Sequence, residues 1–105
     1  MNIKIYTVHE ITDRIKPILE KYGIKSAFIF GSYARGEASA ESDIDLFIDA
    51  SELKGLFALS ALYDELYNAL DKNIDLVTMN SLKYNTDIEF VQNIRKESVL
   101  LYECA

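Results

Sequence analysis

The tripeptide Ile-Asp-Leu occurs twice in this chain, in residues 43–49 (DIDLFID) and again in residues 73–79 (NIDLVTM). Short runs in which apolar and polar residues alternate read as strands with one buried face. Between them, residues 52–70 set Leu56, Leu59, Leu62, Tyr63, Leu66 and Leu70 on one helical stripe, which is expected to face inward. A strand–helix–strand unit of this length favours a right-handed crossover between parallel strands. Asp43, Asp45 and Asp75 then fall at the same end of neighbouring strands. No other feature of the chain narrows the possible folds as much.

The flanking segments fill out a small α+β domain. Thr7 and Glu10 form a capping-box pattern, and Ile11, Ile15, Ile18, Leu19 and Tyr22 make an apolar stripe that Gly23 ends. Pro17 lies inside that stripe and predicts a kink or irregularity. Residues 25–30 (KSAFIF) read as a further strand, residues 32–40 as a turn with room for one helical turn, residues 85–96 as a helix and residues 99–102 as a closing strand. A length of 105 residues suits one domain, 1–105, with a mixed β-sheet and helices packed on it.

Several function classes are disfavoured. The net charge of -6 opposes general nucleic-acid binding, which needs clustered Lys and Arg. No segment approaches the roughly 20 apolar residues that span a bilayer. The start of the chain lacks a basic region followed by an apolar one, so the expected location is cytoplasmic. Cys104 has no disulfide partner, and His9 reads as a solvated residue of a first helical turn.

Chemistry is concentrated in the acidic residues. Asp43 and Asp45, at i and i+2, point to one face of their strand, while Ile44, Leu46 and Ile48 point to the other. Three crowded carboxylates need a compensating cation to remain ionised. Mg²⁺ suits them, because it takes oxygen ligands and completes its shell with phosphates and water. Two such ions can serve an in-line displacement at phosphorus. The bland alternative is that Asp43 and Asp75 merely cap a helix or turn. Gly31 and Ser32 reach the same rim if the strand of 25–30 runs antiparallel to that of 43–49, and there they offer backbone N–H groups and a hydroxyl to a phosphate. Arg35 can touch a phosphate or face solvent. A site at this end departs from the usual preference of parallel sheets for ligands at the strands' C-terminal ends.

The stretch GSYARGEASAESDIDLFID resembles the signature of the nucleotidyltransferases that share the DNA polymerase β palm: Gly-Ser, ten residues (33–42), then Asp-x-Asp at Asp43 and Asp45. Asp75 in NIDLV matches the family's third carboxylate. The resemblance implies a palm-like α+β fold. Asp43, Asp45 and Asp75 would be the catalytic and metal-binding residues, with Asp75 also acting as a base. Gly31 and Ser32 would hold the triphosphate. Over nearly the whole chain, including Asn85, Phe90, Ile94, Leu101 and Tyr102, it is also similar to the minimal, MntA-like antitoxins. That similarity implies Mg²⁺-dependent transfer of AMP from ATP to a protein hydroxyl, a tyrosine of a HEPN ribonuclease toxin. The alternatives are an antitoxin that acts by binding alone and transfer to a small molecule such as an aminoglycoside. One departure from the pattern is Glu97-Ser98, where many relatives carry Glu-Gly before the last strand.

Overall fold

Helix α1 (Val8–Lys21) begins on the capping box: the Thr7 hydroxyl accepts from the Glu10 N–H, and the Glu10 carboxylate accepts from the Thr7 N–H, both at 3.0 Å. The computed structural model describes residues 5–82, 84 and 86–104. Helix α1 runs through Pro17 as one unbroken helical span. Pro17 and Asp13 both lie on the exposed side, so water can serve the Asp13 carbonyl that loses its helical partner. Gly23, at φ +67°, then turns the chain toward the first strand.

Strand β1 (Ser26–Phe30) leads directly into a five-residue helix, α2 (Gly31–Arg35), which ends at Gly36. Strand β2 (Ile44–Asp49) follows, then α3 (Leu56–Leu70) and β3 (Ile74–Thr78). Two further helices, α4 (Met79–Leu82) and α5 (Ile88–Glu97), precede the last strand, β4 (Val99–Glu103). The sheet order is β3-β2-β1-β4. Strands β2 and β3 are parallel, and β1 is antiparallel to both β2 and β4. The mixed sheet and α+β class are therefore as expected.

The two faces of the sheet carry separate cores. Ile44, Leu46 and Ile48 join Ile11, Ile15 and Leu19 of α1 and Leu62, Leu66 and Leu70 of α3 in the larger one. Each such side chain, fully removed from water, contributes about 1.5–3 kcal/mol. Phe30 and Phe47 form the smaller core on the opposite face with Leu82 and Ile94.

Three expectations need correction. Helix α3 starts at Leu56 and not at residue 52, because residues 50–53 turn instead: the Asp49 carboxylate accepts from the Ser51 N–H, and the Ala50 carbonyl from the Leu53 N–H. Leu56 is consequently in the first turn, beyond the reach of the sheet, and is 84% exposed where an inward position was expected. The short helix α4 took the place of the end of the third strand. Helix α5 is capped by the Asp87 carboxylate; the expected start at Asn85 lies outside the described residues. Among the described residues, no helix is long and apolar enough to cross a membrane.

Candidate active site

The pairing register brings the sequence-predicted residues together. Asp45 lies opposite Asp75 in the parallel pair β2–β3, and opposite Phe30 in the antiparallel pair β1–β2. Neighbouring strands lie about 4.8 Å apart, so the carboxylates of Asp45 and Asp75 project side by side on one face. Asp43, two residues before Asp45, belongs to that face and sits just ahead of β2. Gly31 follows Phe30 directly. The antiparallel course on which its place depended is therefore present, and three carboxylates meet the Gly-Ser bend at a single rim.

Gly31 is required there on two counts. Its φ of +69° is in the left-handed region, and a β-carbon at this position would collide with Asp45 Oδ2. The carboxylate of Asp45 thus occupies the space a side chain would have taken. Ser32 and Tyr33 continue α2, whose N-cap, Phe30, has no side-chain acceptor for the first N–H groups.

Electrostatics confirm the crowding. Burial, with the neighbouring charges of Asp75 and Asp43, pushes the Asp45 carboxyl up to about 6; Arg35 opposes the shift. An acid so placed gains from any cation brought to the rim. Among the described residues, no group of three or more Asp, Glu, His or Cys side chains, as placed, could hold a metal ion. The donor set is open, with Asp43 and Asp75 exposed and Asp45 half-buried. An open, all-oxygen set fits Mg²⁺, which keeps waters and takes substrate phosphates as ligands, better than it fits a metal held wholly by protein.

Arg35 lies at the edge of this group. Its guanidinium pairs with Glu97 at 3.2 Å and with Glu37 at 3.4 Å, while its charge still reaches Asp45. The pairing of Glu97 with Arg35 had no signal in the sequence, because the two are 62 residues apart. Ser98 ends α5 with extended dihedrals (φ −69°, ψ 143°), so the turn before β4 does not need the glycine that relatives carry there. Sequence reading also missed Lys72, which is buried between α3 and β3. His9 is exposed and pairs with Asp13, and Cys104 is an exposed free thiol, both away from the rim.

Comparison with known proteins gives the family and the fold. The family of polymerase beta nucleotidyltransferases matches residues 13–104. A protein of Methanocaldococcus jannaschii named as a protein adenylyltransferase is 47% identical over 75 residues, spanning 71% of this chain and 81% of its own. A crystal structure of a toxin–antitoxin pair with AMP-PNP superposes with a TM-score of 0.69 at 25% identity, covering 89% of this chain and 73% of its counterpart. A structure of a tri-AMPylated Shewanella oneidensis HEPN toxin with its MNT antitoxin shares the fold, with a TM-score of 0.64 at 23% identity over 90% of this chain and 71% of the other. Taken with the paired aspartates and the Gly-Ser bend, these likenesses mean that the chain belongs to the polymerase β nucleotidyltransferases, and within them to the minimal, MntA-like protein adenylyltransferases.

Proposed function

We propose that Asp43, Asp45 and Asp75 bind Mg²⁺ and that the rim transfers AMP from ATP to a hydroxyl of a partner protein, a tyrosine of a HEPN ribonuclease that this chain neutralises. The observation that carries the reading is the in-register pairing of Asp45 with Asp75 beside a glycine whose missing side chain makes room for the Asp45 carboxylate. The relative from M. jannaschii is named for protein adenylylation, and the toxin seen with the Shewanella antitoxin carries AMP groups.

In this reading Asp43, Asp45 and Asp75 would hold two magnesium ions. When bound, the ions neutralise phosphate charge and polarise the attacking and leaving oxygens. The chain's own residues do the rest. Gly31 and Ser32 orient the triphosphate through N–H groups at the start of α2 and the Ser32 hydroxyl. Arg35 supplies a cation at the edge of the site. The tyrosine oxygen bonds to the α-phosphorus, the bond to pyrophosphate breaks, and Asp75 accepts the hydroxyl proton. The acceptor surface comes from the partner.

Incubation with labelled ATP, Mg²⁺ and the HEPN protein tests this directly. Label is expected on a toxin tyrosine, and it is expected to vanish with Asp43→Ala plus Asp45→Ala. Labelling that survives the double change would remove the ligand assignment. Full neutralisation in cells by the double variant would instead favour an antitoxin that acts by binding alone.

A further inference from the structure

We propose that Lys72 is a positioning residue for the metal-binding rim: it anchors the 37–43 loop, and so fixes Asp43 against Asp45 and Asp75. The inference rests on the reading of these aspartates as metal ligands. Lys72 is only 4% exposed, and with Ser26 it makes up the buried polar or charged set among the described residues. An ammonium out of water is costly unless it is well partnered, and an apolar residue would fill such a position at less expense. Its Nζ donates to the Ala40 carbonyl at 2.7 Å, across 32 residues of chain. The next residue, Asn73, accepts the Ile44 N–H on its carbonyl at 3.0 Å.

These two bonds join the approach to Asp75 to both sides of Asp43. Ala40 lies three residues before Asp43 and Ile44 one residue after it. A small recess at this place is lined by Ala40, Asp43, Lys72 and Asn73, among others. Asp43 precedes β2 and so lacks the ladder bonds that hold Asp45. The loop before it is held at its start to α2, by the Glu37 N–H to the Ser32 carbonyl and the Arg35–Glu37 pair, and nearer Asp43 only within itself, through the Ser39 N–H to Ser42 Oγ and the Ser42 N–H to the Ser39 carbonyl. Lys72 is what connects that loop to the strand bearing the third carboxylate. Groups that orient metal ligands typically change affinity by about 10–100-fold when removed.

The test is a Mn²⁺ titration followed by electron paramagnetic resonance, with AMP-PNP present, on the wild type, Lys72→Met, Lys72→Arg, Asp43→Asn and the double variant Lys72→Met/Asp43→Asn. Lys72→Met is expected to weaken Mn²⁺ about tenfold, and Lys72→Arg, which keeps a cationic donor, to stay within about threefold of wild type. In the Asp43→Asn background, Lys72→Met is expected to change affinity by less than about twofold, because its effect passes through Asp43. Transfer by Lys72→Met is expected to recover when Mg²⁺ is raised, a rise in the metal requirement without an equal fall in kcat. Wild-type affinity in Lys72→Met, or an equal loss with and without Asp43, would overturn the positioning role. If the wild type itself binds no Mn²⁺, both this role and the metal reading fall; if Asp43→Asn weakens binding and Lys72→Met does not, only this role falls. Should Lys72→Met not fold, Lys72→Gln takes its place. If neither folds, the cation serves folding as a whole and the proposal is overturned.

Discussion

The two ends of the parallel pair β2–β3 differ in a way that bears on how such sites are found. At the C-terminal end, Asp49, Thr78 and Asn80 line a cavity of about 590 Å³, which is where open parallel sheets usually take ligands. At the N-terminal end the described residues form a recess of about 30 Å³ beside Asp43 and an open rim with three carboxylates and a glycine pressed against one of them. The rim is nonetheless where the charges conflict. Asp45 is pushed up to about 6 by burial and by its acidic neighbours, and a conflict of that kind is relieved either by a proton or by a cation brought to the rim. For phosphoryl chemistry, crowded charge is a better guide than concavity, because the substrate and ions build much of the site themselves.

The sharpest way to break this comparison is to change one acid at each end. Asp45→Ala is expected to lower AMP transfer by about a thousandfold or more. Asp49→Ala, four residues and about 13 Å further along the strand, is expected to leave transfer within about threefold. A radiolabel assay of both variants decides; equal losses would mean that the cavity belongs to the reaction.

Gly31 gives the next largest effect. Gly31→Ala combines a left-handed backbone with a collision against Asp45, and it is expected to cost about 1–3 kcal/mol of stability together with most of the activity. Gly23 also has positive φ but faces open space, so Gly23→Ala is expected to cost only about 1 kcal/mol and to leave transfer intact. Urea unfolding and transfer assays on the two variants measure the difference.

A pH series sharpens the electrostatic side. The folded pKa of Asp45, about 6, exceeds the ordinary value of 3.8, so the native state binds this proton more tightly than the unfolded chain. Its contribution to stability is therefore full below the ordinary value and is lost as pH rises through about 6. In EDTA, the urea midpoint of the wild type is expected to fall relative to Asp45→Asn between pH 4 and 7. Mg²⁺ is expected to restore the wild type at pH 7 and not the variant. Parallel curves for the two proteins would remove the crowding argument.

The smallest effect belongs to the Arg35–Glu97 pair, which is largely solvated. Glu97→Gln is expected to shift stability by less than about 0.5 kcal/mol, and thermal unfolding checks it.

Much of this was legible in the residues. The two Ile-Asp-Leu segments announced strands with Ile44, Leu46 and Ile48 on a buried face and the aspartates on the other, and this is where they lie; the second core that Phe47 joins on the aspartate face was not announced by the alternation. The capping box and Gly23 marked the ends of α1, because those signals depend only on bonds within a few residues. Legibility failed where the outcome depended on distant neighbours. Leu56 has the spacing of a core residue but lies past the end of the sheet, and Pro17 is tolerated because its side of α1 is wet. Lys72 looks like any surface lysine until the turn after α3 folds it beneath the rim.

The sequence by itself determined the periodicities, the caps and the presence of Asp43, Asp45 and Asp75, since each is a property of residue type and spacing along a strand or helix. Only the tertiary structure decided that β1 runs antiparallel to β2 and that Asp45 stands level with Asp75. Strand direction and register are set by which apolar faces can be buried together, and that choice is made by the whole core at once.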